Sequence, residues 1–241
     1  MQFANIQWQE SINTTDTPYS IDFDDIYFST DDGLLETEYV FVEHNQLKQR
    51  FKALSKNTFC IAETGFGTGL NFLVVASHWS SLTPITAKLL FISIEKHPLR
   101  LDDLARAAQV WPQFSEIANA LILQYTHLKT GCNHFTFFNN RIELQLYIGD
   151  VIEVLPSLQI AEEIFVNAWL LDGFAPAKNA EMWSIGVLQH MARISSNGTT
   201  FATFTCAGMV RRNLEAVGFY VKKHTGFGKK REMLSGYFRE C

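Results

Sequence analysis

No two of the four cysteines, Cys60, Cys132, Cys206 and Cys241, stand in a CxxC pair, and none has a histidine cluster beside it. That spacing argues against a zinc site or a dithiol redox motif, and predicts reduced thiols with no bound metal. A run of about 18 apolar residues, the length that crosses a bilayer, is missing, so no membrane association is expected. The N-terminus, MQFANIQWQESINTTDTPYS, lacks the basic region and apolar stretch of a signal peptide. Together these absences predict a cytoplasmic protein. Lys and Arg are absent from residues 1–40, which hold nine Asp or Glu. The balance reverses from Thr205 to Cys241, where eight Lys or Arg stand against three Glu. The net charge of -5 thus hides a basic end able to meet a polyanion, although a solvated surface is the plainer reading.

What is present fits a soluble α/β domain. A hydrophobic fraction of 47%, a charged fraction of 19% and a mean hydropathy of -0.01 are those of a chain with an ordinary core. Between residues 58 and 238, β-rich runs alternate with helical patterns, the signature of βαβ units. Strands are expected at Thr58 to Glu63, Lys88 to Glu95, Ile142 to Ile148, Ile164 to Leu171 and Thr199 to Phe204. Helices are expected over Leu70 to His78, Leu99 to Gln109, Ala180 to Ile194 and Met209 to Val217. Phe219 to His224 and Met233 to Phe238, joined by TGFGKKRE, read as an antiparallel hairpin. The predicted fold is a doubly wound, mostly parallel, seven-stranded Rossmann-like sheet with that hairpin at its C-terminal end. Residues 1–57 depart from the alternation and are expected to form an N-terminal appendage, with short strands and a helix around Leu34 to Leu54; residues 58–241 form the main domain. Trp111 to Asn140 reads as an irregular insertion.

The strongest local signal is Glu63-Thr-Gly65-Phe66-Gly67-Thr-Gly69-Leu-Asn71, directly after an apolar strand and opening an apolar helix. Glycines there make a tight strand-to-helix turn and let a ligand approach the backbone with no Cβ in the way. A dinucleotide fingerprint needs a small residue where this chain has Leu70, which disfavours a pyrophosphate ligand. The ExGxGxG form suits S-adenosylmethionine, with Glu63 answering its charged amino acid part and the glycine backbone packed on the ligand; a structural turn is the alternative. Glu63, Gly65, Phe66, Gly67, Gly69 and Asn71 form the core of the candidate cofactor set. Glu95, ending the second strand in LLFISIEKHP, is placed to accept from both ribose hydroxyls. Asp150, ending the third in LYIGDVIEVLP, is placed to accept from an adenine amine or to cap the following helix, and the two roles are compatible.

The fourth strand runs into Trp169-Leu-Leu-Asp172-Gly-Phe174-Ala-Pro-Ala-Lys-Asn-Ala-Glu-Met-Trp183. A carboxylate at this edge can orient an amine, which makes Asp172 the candidate catalytic residue and a further cofactor-side residue. Phe174 or Trp183 can stack on a planar acceptor.

These segments resemble a known family. AETGFGTGLNFL (Ala62 to Leu73), LLDGFAPAKNAEMW (Leu170 to Trp183), ETEYVFVEHN (Glu36 to Asn45) and GFGKKREML (Gly226 to Leu234) are similar, in order, to the methyltransferase domain of the bacterial bifunctional tRNA 5-methylaminomethyl-2-thiouridine biosynthesis proteins. One departure is His44, where the pattern leads to Gly. The resemblance implies S-adenosylmethionine as cofactor and methylation of the aminomethyl group on carbon 5 of the wobble uridine in the tRNA anticodon loop. In the fused proteins an FAD-dependent oxidoreductase domain follows, so that domain is a possible partner and FAD is not expected on this chain. Both a stand-alone enzyme and one domain of a fused protein remain open.

For that acceptor, Tyr39, Phe41, Phe174 and Trp183 are pocket candidates, each equally readable as core. Lys229, Lys230 and Arg231 are candidates for tRNA phosphates. Two rivals stand beside this reading: a small-molecule or polyamine transferase using S-adenosylmethionine or its decarboxylated relative, and a non-catalytic S-adenosylmethionine-binding assembly domain. The lack of a GGGDG-type loop counts against the polyamine version, and Asp172 in its DGFAP loop counts against the non-catalytic one.

Overall fold

The computed structural model describes residues 1–9, 16–29, 32–54, 57–160 and 164–240, so Cys241 lies outside the described residues. The chain opens with a small antiparallel sheet of β1 (Ile6–Gln9), β2 (Thr17–Ser20) and β3 (Asp25–Ile26). Asp32 then caps α1 (Gly33–Thr37) by accepting from Leu35 N. A π-helical turn (Glu38–Glu43) follows, and then α2 (Leu47–Lys52). The single helix expected over Leu34 to Leu54 is therefore broken. Asn45 donates to Phe41 O and Trp169 O, and Gln46 takes a left-handed φ of 55° between the two runs. His44 has a φ of -75°, so this position makes no demand for glycine.

The main sheet begins with β4 (Thr58–Glu63), whose Phe59 to Glu63 are buried without alternation because helices cover both faces. It continues through α3 (Leu70–Leu82), β5 (Lys88–Glu95), α4 (Leu101–Ala108), α5 (Ser115–Tyr125), β6 (Gly131–Phe137), β7 (Ile142–Ile148) and α6 (Val151–Ser157). β8 (Val166–Leu170), α7 (Ile185–Arg193), β9 (Ser195–Thr203), α8 (Gly208–Ala216), β10 (Phe219–Thr225) and β11 (Glu232–Phe238) complete it. The strand order is β10-β11-β9-β8-β4-β5-β7-β6. β7, β5, β4, β8 and β9 run parallel, while β11, β10 and β6 are antiparallel to their neighbours.

The sheet thus has eight strands among the described residues, where seven were expected. The additional one is β6, inside the stretch read as irregular. Its inward positions are Asn133, Phe135 and Phe137, and the polar first member masks the alternation. Asn133 is satisfied there by Lys129 N and O, Gly131 O and Leu146 O, which ties off the start of the strand.

One face of the sheet packs α3 and α5 through Phe72, Val75, Trp79 and Leu121; the other packs α6, α7 and α8 through Leu155, Leu188, Leu214 and Trp169. The connections run outward from β4 to β5 and β7 on one side, and through β8 to β9 on the other. The reversal between β4 and β8 opens a crevice at the strands' carboxyl ends, where α/β sheets bind ligands.

Candidate active site

Two loops meet in that crevice. The chain leaving β4 bonds to the chain leaving β8 twice, through Thr64 N to Leu170 O (3.3 Å) and Thr64 Oγ1 to Asp172 O (2.7 Å). Gly65 sits at their crossing. A Cβ there would stand 3.2 Å from Asp172 O and 3.2 Å from Gly173 Cα, so the two backbones approach as closely as they do only with a residue that has little or no side chain to crowd them. Gly67 takes a φ of 53° and donates its N–H to Glu95 Oε2 (2.8 Å), while His97 N–H donates to Oε1 (2.8 Å). Gly69, with a φ of 76°, starts α3.

Four carboxylates stand at the strand ends, Glu63, Glu95, Asp150 and Asp172, in different surroundings. Glu63 is fully buried, accepting from Asn71 Nδ2 (2.8 Å) and Ser93 Oγ (2.6 Å), and burial holds its carboxyl well above the usual range. Burial also raises Glu95, against the backbone amides of Gly67 and His97 that favour its charged form. Asp172 accepts from Gly173 N–H (2.8 Å) and from Asn71 Nδ2 (2.7 Å), yet burial pushes it up to about 6. Asn71 therefore links Glu63 to Asp172, and its own Oδ1 accepts from Thr37 Oγ1 (3.1 Å).

Around these groups lies a cavity of about 300 Å³, within the size range of small-molecule sites. Gly65, Phe66, Gly67 and Asn71 line it from the first loop, Glu95 and Asp150 from the next two strand ends, and Asp172 and Phe174 from the fourth. Phe41 and Lys230 also reach it. Asp150 caps α6 by accepting from Ile152 N and pairs with Lys96 (2.7 Å); burial opposes its charge, but these partners hold its carboxyl below the usual range.

The remaining sequence candidates stand elsewhere. Glu63 lies beneath the cavity and reaches it through Asn71. Tyr39 donates its hydroxyl to Thr225 O (2.8 Å), and Trp183 is buried among the α6–α8 side chains with Nε1 donating to Phe174 O (3.2 Å). Lys229 and Arg231 flank Lys230 on the β10–β11 turn but are outside the lining.

The N-terminal segment supplies walls that sequence reasoning missed. Phe23 stacks on Phe174 (centroids 4.5 Å apart, 20° between planes), Tyr27 meets the same ring edge-on (5.4 Å), and Asp25 Oδ2 accepts from Ala175 N–H (3.1 Å). Lys178 pairs with Asp24, which also accepts from the Tyr19 hydroxyl. Glu36, from the ETEYVFVEHN segment, and Phe204, just past β9, complete the wall. The only available signal was aromatic and acidic density in PYSIDFDDIYFS, with no periodicity to aim it.

A cavity of about 300 Å³ with glycines and carboxylates where the parallel strands end is the ligand crevice of a doubly wound α/β protein. Residues 112–239 match the family described as S-adenosyl-L-methionine-dependent methyltransferase, and the chain belongs to that family. It is 50% identical over 237 residues to the tRNA 5-methylaminomethyl-2-thiouridine biosynthesis bifunctional protein MnmC of Pseudoalteromonas atlantica, covering 97% of this chain and 33% of that protein. It is 46% identical over 235 residues to the MnmC of Methylobacillus flagellatus, covering 98% and 35%. The chain thus spans about a third of the length of these relatives. In fold it resembles the crystal structure of MnmC2 from Aquifex aeolicus, with a TM-score of 0.75 at 20% identity over 97% of this chain and 70% of that one.

The family's cofactor is S-adenosylmethionine, and the residues present fit it. Gly65 and Gly67 line the cavity without a Cβ, Gly67 in the left-handed region, and Glu95 and Asp150 border it at the ends of the adjacent strands β5 and β7. No described helix is long and apolar enough to cross a membrane.

Proposed function

We propose that this methyltransferase acts on the aminomethyl group at carbon 5 of 2-thiouridine in the tRNA wobble position, giving the methylaminomethyl base. The observation that carries this reading is the convergence of Asp172, with its carboxyl steadied by Asn71, on the same cavity as Gly65, Gly67 and Glu95. The names of the bifunctional MnmC relatives, near one half identity across almost all of this chain, support this choice of acceptor.

When bound, the cofactor supplies a sulfonium methyl group open to displacement by an amine lone pair. In this reading the backbone at Gly65 to Gly67 holds its amino acid part, with Glu63 acting through Asn71. Glu95 accepts from the ribose, Asp150 from the adenine amine, and Phe66 packs beside it. Asp172 orients the acceptor amine and takes a hydrogen bond from it. Phe41 and Phe174 border the acceptor base, and Lys229 and Arg231 meet backbone phosphates of the anticodon loop outside the cavity. Residues 1–57 act as a cap that braces the DGFAP loop on the domain formed by residues 58–241. The setting is the cytoplasm, and the partner activity is an FAD-dependent oxidoreductase that releases the aminomethyl precursor.

The test is a methyl-transfer assay with isotopically labelled S-adenosylmethionine and tRNA lacking the modification, read by mass spectrometry of the wobble nucleoside. A gain of one methyl group on the aminomethyl base supports the proposal. Label on free polyamines instead, or on nothing, favours the small-molecule or the non-catalytic alternative.

A further inference from the structure

An ammonium group already rests on the wall of this cavity. Lys230, on the turn between β10 and β11, places Nζ 2.7 Å from Glu36 Oε1, and the same nitrogen lies 4.2 Å from the centre of the Phe204 ring. The two partners are unequal: the Glu36 side chain is 13% exposed and that of Lys230 is 45% exposed. Glu36 is the fixed member, held on a capped helix, whereas the lysine reaches in from solvent on a flexible stem. Glu36, Phe204, Lys230 and Asp172 all border one cavity. Both charges are felt at Asp172, whose proton affinity Glu36 raises and Lys230 lowers.

With its cation 45% exposed the ion pair is screened by solvent, and the contact of that cation with the aromatic face adds little more. Lys230 is therefore held weakly enough to be displaced. Its last carbon and nitrogen form a methylene-ammonium, the same group that an aminomethyl substituent presents near neutral pH.

We propose that Glu36 and the face of Phe204 form the recognition subsite for the charged aminomethyl group of the acceptor, with Lys230 as a resident stand-in that swings out when the acceptor enters. The inference rests on the reading above that the acceptor is a primary alkylamine. It assigns Glu36 a positioning role: it brings the ammonium beside Asp172, where a proton passes to water and frees the amine lone pair for displacement of the methyl group. It also separates Lys230 from its neighbours on the turn: its ammonium serves the amine subsite and not a phosphate. Neutral and anionic acceptors are disfavoured, because they would displace the lysine without replacing the cation that Glu36 pairs with.

The test uses benzylamine, an aminomethyl group on an aromatic ring, against its neutral counterpart benzyl alcohol, titrated calorimetrically into the full chain. Lys230→Ala, on an exposed turn, should bind benzylamine at least fivefold more tightly than the parent while benzyl alcohol is unaffected. Adding Glu36→Gln should remove that gain, and Phe204→Leu should reduce it. With undermodified tRNA, Glu36→Gln should raise KM about tenfold with the affinity for S-adenosylmethionine unchanged, and Lys230→Ala should leave KM equal or lower. Unaltered benzylamine binding in Lys230→Ala, or a raised tRNA KM in that variant, overturns the stand-in role. If the parent methylates no tRNA while the benzylamine results hold, the acceptor assignment fails and the subsite stands.

Discussion

Asn71 Nδ2 lies 2.7 Å from Asp172 Oδ2, so a residue in the first turn of α3 holds the carboxylate that ends the fourth parallel strand. The same nitrogen bonds Glu63 at 2.8 Å, and the glycine turn, the first strand end and the candidate catalytic group thus move as one unit. Asp172 is raised to about 6 by burial, while its bond from Asn71 favours the charged form. If the charged form orients the amine, kcat/KM should fall as pH drops through about 6. Asn71→Ala removes a donor to the carboxylate, so this acid limb should move to higher pH. A pH–rate profile of parent and variant checks both, and a limb that stays in place separates the two residues functionally.

The same shift affects stability. The folded carboxyl titrates near 6 against an ordinary value of 3.8, so between those values the folded state binds more protons than the unfolded one, and stability falls as pH rises. Asp172→Asn should therefore raise Tm at pH 7, by about 2–4 °C per kcal/mol relieved for a chain of this size, and the gain should disappear below about pH 4. Thermal melts of both proteins across that interval give the answer.

Removing the carboxylate altogether should separate chemistry from binding. Asp172→Ala is expected to lower methyl transfer by about a hundredfold or more, while S-adenosylmethionine still binds in calorimetry. Equal loss of both would assign the residue to the cofactor instead.

Gly65 offers a steric test of the cradle. A Cβ at 3.2 Å from two backbone atoms of the DGFAP loop cannot be relieved by a side chain turning aside. Gly65→Val should weaken S-adenosylmethionine binding tenfold or more, about 1.4 kcal/mol. An unchanged affinity by calorimetry would show that the loop crossing is not where the cofactor lies.

The parallel strands were the most readable part of the chain. Thr58 to Glu63 and Lys88 to Glu95 were legible because strands buried between helices carry a nearly continuous apolar run, and Ile142 to Ile148 because its buried positions alternate. The glycine turn and Asp172 were legible for a related reason, since each directly follows such a strand. β6 was hidden by Asn133 on its inward face. α5 was hidden by aromatic residues on both sides, although Ile117, Ala118, Leu121 and Tyr125 hold helical spacing. Phe23, Asp25 and Tyr27 could not be placed from sequence, because they meet the DGFAP loop from about 150 residues away through ring packing and one backbone bond, neither of which leaves a periodic trace. Tyr39 and Trp183 show the converse: aromatic residues within hallmark segments that lie outside the cavity lining, their polar atoms bonded to backbone carbonyls.

A crystal structure with S-adenosylmethionine bound tests the central claim most directly. The account predicts density for the ligand in the crevice between β4 and β8, with its backbone contacts at Gly65 to Gly67, its ribose on Glu95 and its methyl group facing Asp172. Ligand found outside this crevice, or seated there with the methyl group turned away from Asp172, would contradict it.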